Sequence, residues 1–208
     1  MITRRLLPYG ARARLLECAD LADSQAMHDW LLDQHRPEIR AMVPGARTLL
    51  LHLDADLPSA FVRRLLEARP TPAQRPDAGS NRQHEVIMVQ VRYDGEDLQA
   101  TADLLRLTVQ QLIDYHTGQD WTVAFGGFSP GFGYLAPTGP ALSVPRRSSP
   151  RTRVPAGSVA LADQWSAIYP TDSPGGWQLI GHTDLPLFDP EADPPATLRP
   201  GNLVRFVR

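Results

Sequence analysis

The distribution of glycine and proline divides this 208-residue chain into two parts. Ten of the 15 glycines and 13 of the 20 prolines lie from Gly126 onward. Both residue types interrupt helices, and clusters of them mark turns. Short strands with frequent turns predict a closed or nearly closed β-barrel here. The strands predicted in this region are Trp121 to Phe125, Ser158 to Ala162, Ile168 to Tyr169, Trp177 to Ile180 and Leu203 to Val207.

The N-terminal part has a different pattern, in which strands and helices alternate. Apolar runs of strand length cover residues 13–18 and 47–53, and a helix capped by Asp20 or Asp23 lies between them. Pro58 suits the first turn of a second helix. This order predicts a small α/β lobe over residues 1–80. The fold class is therefore α+β, with the barrel domain over residues 85–208.

The region that joins these two parts has its own signals. Residues 70–84 are polar, rich in proline and without periodicity, which predicts a linker. Val86 to Tyr93 alternates between apolar and polar residues, as strands do. Asp97 to Leu105 is predicted to be a short helix. Thr108 and Gln111 have capping-box spacing, which predicts that a further helix begins there and ends at Gly118.

The overall composition excludes several classes of protein. Hydrophobic residues make up 42% and charged residues 21%, a balance typical of a soluble globular chain. The net charge of −2 gives no broad field that would attract nucleic acid or an anionic membrane. There is no apolar stretch of spanning length and no signal-peptide pattern, and Cys18 is the only cysteine. We therefore expect a cytoplasmic protein without disulfides.

The choice of basic residues narrows the possible chemistry. All 21 are arginine, and the absence of lysine removes the P-loop lysine, Schiff-base catalysis and a Ser-Lys nucleophile pair. An arginine fork remains well suited to carboxylates and phosphates. The six histidines are scattered without metal-ligand spacing, so no metal site is expected.

The glycine-rich segment 126–135 (GGFSPGFGYL) matches the G-x-S-x-G pattern of a hydrolase nucleophile elbow. That interpretation fails because the residue after the serine must donate a backbone N–H to the oxyanion hole, and Pro130 has none. Glycines that allow close backbone approach and three aromatic rings suit a ligand-binding turn. A packed corner of the barrel explains the same residues.

Two further segments could bind a ligand. Residues 145–158 (PRRSSPRTRVPAGS) hold four arginines between prolines, which could present guanidinium groups to a carboxylate or phosphate or could form a solvated charged loop. Residues 169–177 (YPTDSPGGW) could form a ligand-contacting turn or a structural one. His116 is a possible proton carrier or a structural histidine. Glu96 and Asp97 lie where turn formation and helix capping explain them.

The order of these segments resembles a known family. The residues that carry the resemblance are Val43 to Thr48 (VPGART), Tyr93 to Leu98 (YDGEDL), GGFSPGFGYL, PRRSSPRTRVPAGSVAL, IYPTDSPGGWQLIGHT and Pro200 to Phe206 (PGNLVRF). In this order they resemble the family of the 5-oxoprolinase B subunit, also called allophanate hydrolase subunit 1, which includes the Kip inhibitor of a sporulation histidine kinase. The resemblance covers nearly the whole chain.

This resemblance implies a fold, an activity and partners. It implies a cyclophilin-like β-barrel after the N-terminal lobe, and a bacterial enzyme whose A, B and C subunits together open 5-oxoproline to glutamate while ATP is hydrolysed. ATP, with Mg²⁺, would be bound by this chain or by its partners. No catalytic residue is evident, so the chain alone is expected to be incomplete. The pocket residues that the resemblance implies are His116, Phe128, Pro130, Gly131, Phe132, Tyr134, Arg146, Arg151, Arg153, Pro155, Gly157, Ser158, Gln164, Tyr169, Ser173, Gly175, Gly176 and Trp177.

Two other functions fit the same resemblance. One is a regulatory inhibitor that binds a histidine kinase, as the Kip inhibitor does. The other is a component of an enzyme of the allophanate hydrolase or urea carboxylase type.

Overall fold

A computed structural model describes residues 4–55, 58, 60, 62–64 and 86–208. The chain divides into two compact units, Met1–Gln83 and His84–Arg208. The predicted linker at residues 70–84 lies outside the described residues. Within the described ranges, no helix is long and apolar enough to cross a membrane.

The described residues of the first unit include an antiparallel sheet and a helix that packs on it. Its elements are β1 (Arg5–Pro8), β2 (Ala13–Glu17), α1 (Leu21–Asp33), β3 (Ile39–Pro44) and β4 (Thr48–Leu53). The strand order is β1-β2-β4-β3, and each pair is antiparallel. Met27 and Leu31 of α1 pack on alternate residues of β4 to form the core of this unit.

The predicted mixture of strand and helix in this unit is confirmed, and two of its strands were not predicted. Asp20 caps α1 by accepting a hydrogen bond from the Asp23 N–H at 2.8 Å. The Val62 N–H donates to the Pro58 carbonyl at 3.3 Å, but much of the second predicted helix lies outside the described residues. The strands β1 and β3 gave no clear sequence signal because Pro8, Arg40 and Pro44 interrupt their apolar patterns.

The second unit is built on a seven-stranded sheet. Its elements are β5 (Val86–Gln90), α2 (Leu98–Leu104), α3 (Val109–Thr117), β6 (Asp120–Gly126), β7 (Gly133–Pro137), β8 (Arg151–Val154), β9 (Ser158–Ala162), β10 (Trp165–Ile168), β11 (Ser173–Gly175), β12 (Gln178–His182) and β13 (Leu203–Val207). The sheet order is β12-β9-β10-β7-β6-β13-β5, in which only β13 and β5 are parallel. The strands β8 and β11 form a separate antiparallel ribbon.

The large sheet curls until its two edges are joined by the chain that follows β5. Arg92 and His182 exchange two backbone hydrogen bonds of 2.8 Å, and the Asp97 N–H donates to the Leu179 carbonyl at 2.9 Å. These bonds satisfy the exposed edge of β12, which would otherwise present unpaired backbone groups. The result is a curled half-barrel. The prediction of a curved, barrel-like sheet is thus confirmed in part.

Local helix signals of this unit are confirmed. Thr108 and Gln111 form the predicted capping box at the start of α3, with bonds of 3.1 and 2.8 Å, and Gly118 follows its end. The helix α2 packs on β12 and α3 on β13. The strands β7, β8 and β11 were interpreted as turns or loops because glycine, proline and arginine dominate them.

Candidate functional site

In the structure, the aromatic side chains of residues 126–135 and 169–177 pack with Phe125 and Trp165 into one group. This aromatic cluster consists of Phe125, Phe128, Phe132, Tyr134, Trp165, Tyr169 and Trp177. Phe132 is central, with ring centroids 5.4 Å from Tyr169 and 5.8 Å from Trp177. These contacts are edge-to-face, which is a favoured geometry for aromatic pairs. Residues that are far apart in the chain thus form one packed group, which is mostly buried and whose exposed member is Phe128.

The turn between β6 and β7 holds Phe128 at the edge of the aromatic cluster. Phe128 has φ +68°, a left-handed conformation that is unusual for a bulky residue, and it is 59% exposed. Its ring lies 5.1 Å from Phe132. The turn needs Gly131, which has φ +80° and whose Cβ would lie 2.7 Å from the Phe188 Cβ. Pro130 is exposed in the same turn.

Tyr169 anchors the third segment against the aromatic cluster. Its phenol oxygen accepts a hydrogen bond from the Trp177 backbone N–H, and burial raises the pKa of Tyr169 above its ordinary value. Gly175 lies so close to this hydroxyl that a Cβ would collide with it. Tyr169 is therefore a neutral structural phenol rather than a base.

The buried carboxylate of Asp97 accepts hydrogen bonds from two arginines of residues 145–158. Asp97 Oδ1 accepts from Arg147 Nη1 at 2.7 Å and from Arg151 Nη2 at 2.8 Å, and its Oδ2 accepts from the Leu179 N–H at 2.8 Å. Burial alone would raise the pKa of Asp97, but the hydrogen bonds from Arg151 and Leu179 outweigh it and lower this pKa. Glu96 accepts from Arg151 at 3.0 Å. Arg151 is thus engaged within the fold.

The remaining arginines of this segment differ in how firmly they are paired. Arg153 donates through Nε to Asp172 at 2.8 Å, and Asp172 also accepts from the Ala156 N–H at 2.8 Å. Arg146 has only a 4.0 Å ion pair with Asp163, and its guanidinium carbon lies 5.8 Å from the centroid of the Trp177 ring. Arg146 is therefore the cation of the segment that is most available to a ligand.

The small residues of the candidate set shape the backbone around these side chains. Pro155, Gly157 and Ser158 form the turn from β8 to β9, where Gly157 has φ +80° and donates to the Tyr169 carbonyl at 2.8 Å. Ser158 is buried. Ser173 begins β11, and Gly176 follows the end of this strand; the Gly176 carbonyl accepts from the Arg147 N–H at 2.8 Å.

Two candidates lie apart from the aromatic cluster. Gln164 is exposed in the turn between β9 and β10. His116 is fully buried, with Nδ1 at 2.7 Å from the Tyr93 hydroxyl and Nε2 at 2.8 Å from Ser166 Oγ. Its ring stacks on Phe206 at 4.0 Å. Burial lowers the pKa of His116 to about 3, so the ring is a neutral core group.

Sequence reasoning missed Asp97, Arg147 and Asp172 as parts of this site. The capping interpretation of Asp97 is wrong, because Asp97 precedes α2 without a side-chain capping bond and is used by the arginines and Leu179 instead. No local signal could show this, since Asp97 and Arg151 are 54 positions apart. Asp172 lay within the third segment, but its pairing with Arg153 was not foreseen. Among the described residues, no group of three or more His, Cys, Asp and Glu could hold a metal ion.

Comparison with known sequences relates most of this chain to one protein family. Residues 4–198 match the family described as carboxyltransferase domain, subdomain C and D. The B subunit of 5-oxoprolinase from Bacillus subtilis (strain 168) is 41% identical over 162 residues, which are 76% of this chain and 66% of that protein. The B subunit of 5-oxoprolinase from Escherichia coli O157:H7 is 46% identical over 123 residues, or 59% of this chain and 56% of that protein. The matched part thus spans less than two thirds of these relatives.

Solved structures share the fold. The protein in the crystal structure of TTHA0988 is 34% identical in sequence to this chain, and the two structures match with a TM-score of 0.75. The match covers 94% of this chain and 39% of that chain. Kluyveromyces lactis urea carboxylase is 16% identical with a TM-score of 0.71, and the match covers 99% of this chain and 21% of that chain. At this low identity the second likeness concerns the fold alone.

Proposed function

Because this chain belongs to the carboxyltransferase subdomain C and D family, we propose that it acts as the B subunit of a bacterial ATP-dependent 5-oxoprolinase. With the C and A subunits it would open the lactam of 5-oxoproline to glutamate in the cytoplasm. The observation that carries this proposal is the identity of 41% and 46% with the B subunits of two bacteria. The curled half-barrel is proposed to be of the cyclophilin-like type.

The part of the reaction that this chain would perform is substrate binding. The exposed Phe128 and the half-buried Tyr134 of the aromatic cluster offer apolar contacts, and Arg146 offers a cation beside Trp177. Tyr169 and His116 are neutral and internally bonded, so neither is set to attack a substrate or to abstract a proton. A chain with a binding surface and no activated nucleophile in its cluster fits one component of a larger enzyme.

The arginines of residues 145–158 do not suit the phosphates of ATP. The chain has no lysine, and four carboxylates lie beside the arginines of residues 145–158: Glu96, Asp97, Asp163 and Asp172. These carboxylates would repel a triphosphate and already neutralise most of the local positive charge. We therefore place the ATP site, with its Mg²⁺, on a partner protein and assign no phosphoryl-transfer step to the described residues.

Contact with the C subunit is assigned to the turn that carries Phe128. Phe128 is exposed in a strained backbone conformation, and Phe188, which packs beside Gly131, is also exposed. Exposed aromatic side chains of this kind are enriched at protein interfaces. A strained turn that presents an aromatic ring to solvent is easier to explain if a partner covers it.

The test is reconstitution. The chain should co-purify with the C subunit when the two are co-expressed, and the pair should hydrolyse ATP in a 5-oxoproline-dependent manner once the A subunit is added. Co-purification with a histidine kinase and inhibition of its autophosphorylation, with no 5-oxoproline-dependent activity, would support the regulatory alternative instead.

A further inference from the structure

Arg146 differs from the other arginines around the aromatic cluster. Arg151, Arg147 and Arg153 each donate to a carboxylate at 2.7 to 2.8 Å. Arg146 Nε lies 4.0 Å from Asp163 Oδ2, at the limit of an ion pair, and the Arg146 side chain is 58% exposed. The other three guanidinium groups are thus engaged in intramolecular hydrogen bonds, while Arg146 keeps its donors open to solvent.

The backbone on both sides of Arg146 is fixed to the segment that carries Trp177. The Pro145 carbonyl accepts from Gln178 Nε2 at 2.9 Å, and the Arg147 N–H donates to the Gly176 carbonyl at 2.8 Å. Pro145 also fixes its own φ. The backbone of Arg146 is therefore held beside Trp177, and little backbone entropy remains to be lost when Arg146 binds a ligand.

The Arg146 guanidinium also lies beside an aromatic ring. The Arg146 guanidinium carbon lies 5.8 Å from the Trp177 ring centroid, within the range of a cation–π contact. Trp177 is itself held by Phe132 and by Tyr134, at 5.8 and 5.7 Å. A guanidinium in such a contact still presents N–H donors, and its planar fork matches a carboxylate with two parallel hydrogen bonds.

We propose that Arg146 binds the carboxylate of 5-oxoproline, an inference that rests on the proposed function. The exposed 4.0 Å pair with Asp163 is at the limit of an ion pair, so the Arg146 guanidinium can exchange it for a single carboxylate, whereas one guanidinium cannot balance a polyphosphate. The half-buried Tyr134, which packs on Trp177 at 5.7 Å, and the exposed Phe128 would cover the apolar carbons of the five-membered ring. Arg146 is thereby a specificity-determining residue for the acid over neutral cyclic amides.

The experiment compares Arg146→Met with wild type in the enzyme reconstituted from its A, B and C subunits. The methionine keeps an aliphatic chain over Trp177 and removes the charge. Loss of a charge-assisted carboxylate contact should raise the KM for 5-oxoproline by about 10- to 100-fold, with a smaller change in kcat. Arg146→Lys keeps the charge without the planar fork and should fall between the two.

A neutral competitor separates recognition of the carboxylate from general damage. Wild type should bind 5-oxoprolinamide, in which an amide replaces the carboxylate, much more weakly than 5-oxoproline, and Arg146→Met should lose this discrimination. Arg40→Met, the same change at an exposed arginine of the first unit, should leave both constants unchanged.

The outcomes distinguish the two proposals. A wild-type assembly that is active with 5-oxoproline, together with an Arg146→Met variant whose KM and discrimination are unchanged, would overturn the role of Arg146 alone. A wild-type assembly with no 5-oxoproline-dependent ATP hydrolysis would overturn the proposed function and this inference with it.

Discussion

At the scale of single residues, the carboxylate of Asp97 has two structural roles. Its Oδ2 accepts from the Leu179 N–H at the edge of β12, while Oδ1 accepts from Arg147 and Arg151. The side-chain exposure of Arg151 is 15%, so its charge is poorly compensated by water. The carboxylate therefore fixes the arginine segment to the curled sheet, and the position of Arg146 depends on it indirectly.

The variant Asp97→Asn should lower the free energy of unfolding by about 3 kcal/mol, because it removes the buried counter-charge of Arg147 and leaves Arg151 with only the exposed Glu96. Urea denaturation followed by circular dichroism measures this. The matched control is Glu96→Gln, which alters the other carboxylate that accepts from Arg151 but is 74% exposed. It should cost less than about 1 kcal/mol. Equal losses in both variants would contradict the role given to Asp97.

His116 predicts a pH dependence of stability. The pKa of its ring is about 3 in the folded chain, against an ordinary value of 6.5. Below pH 6.5 the unfolded chain binds a proton that the folded chain does not, so stability falls as the pH falls toward 3, by up to about 1.4 kcal/mol per pH unit.

The comparison variant is His116→Gln, which cannot titrate in this range. Unfolding free energies measured at several pH values should show a steeper acid-side loss in wild type than in the variant. Parallel pH profiles for the two proteins would show that His116 does not contribute as described.

At the scale of elements, the ribbon of β8 and β11 and the turns beside it depend on glycines that admit close contacts. Gly175 approaches the Tyr169 hydroxyl so closely that no Cβ can be accommodated without displacing Tyr169. Gly176, the next residue, has room for a Cβ, which would make an ordinary van der Waals contact with the Pro150 Cβ at 3.6 Å. Adjacent glycines thus differ in how far packing requires them.

Gly175→Ala should therefore destabilise the chain by about 2 kcal/mol, the usual cost of overpacking a filled site. Gly176→Ala should change stability by less than about 0.5 kcal/mol. Thermal and urea unfolding of the two variants provide the measurement. A Gly175→Ala variant as stable as Gly176→Ala would mean that Tyr169 is not held as the structure shows.

Elements also show which features were predictable from the sequence. The capping box of α3 and the strands β9 and β13 were predicted because their signals are local: a side-chain spacing, or a run of apolar residues. The strands β8 and β11 were not predicted, since each is short and its pairing partner lies about 20 residues away. The assembly of the aromatic cluster and the pairing of Asp97 depend on the curl of the whole sheet, which local patterns do not encode.

At the scale of the whole molecule, the proposed function requires an interface with the C subunit that includes Phe128. The variant Phe128→Ser should reduce co-purification with that partner by about tenfold or more, because loss of a central aromatic contact is costly at interfaces. Leu104→Ser makes a similar change at a residue that is 58% exposed, against 59% for Phe128, and should leave the yield unchanged. Equal recovery of both variants would place the interface elsewhere.

Our central prediction is that this chain binds substrate but is inactive until its partners complete the enzyme. The most direct measurement is the release of glutamate and phosphate from 5-oxoproline and ATP by this chain alone, by its pair with the C subunit, and by that pair together with the A subunit. We predict turnover only when all three are present, and loss of that turnover when this chain is omitted. Turnover by this chain alone, or undiminished turnover without it, would contradict the claim.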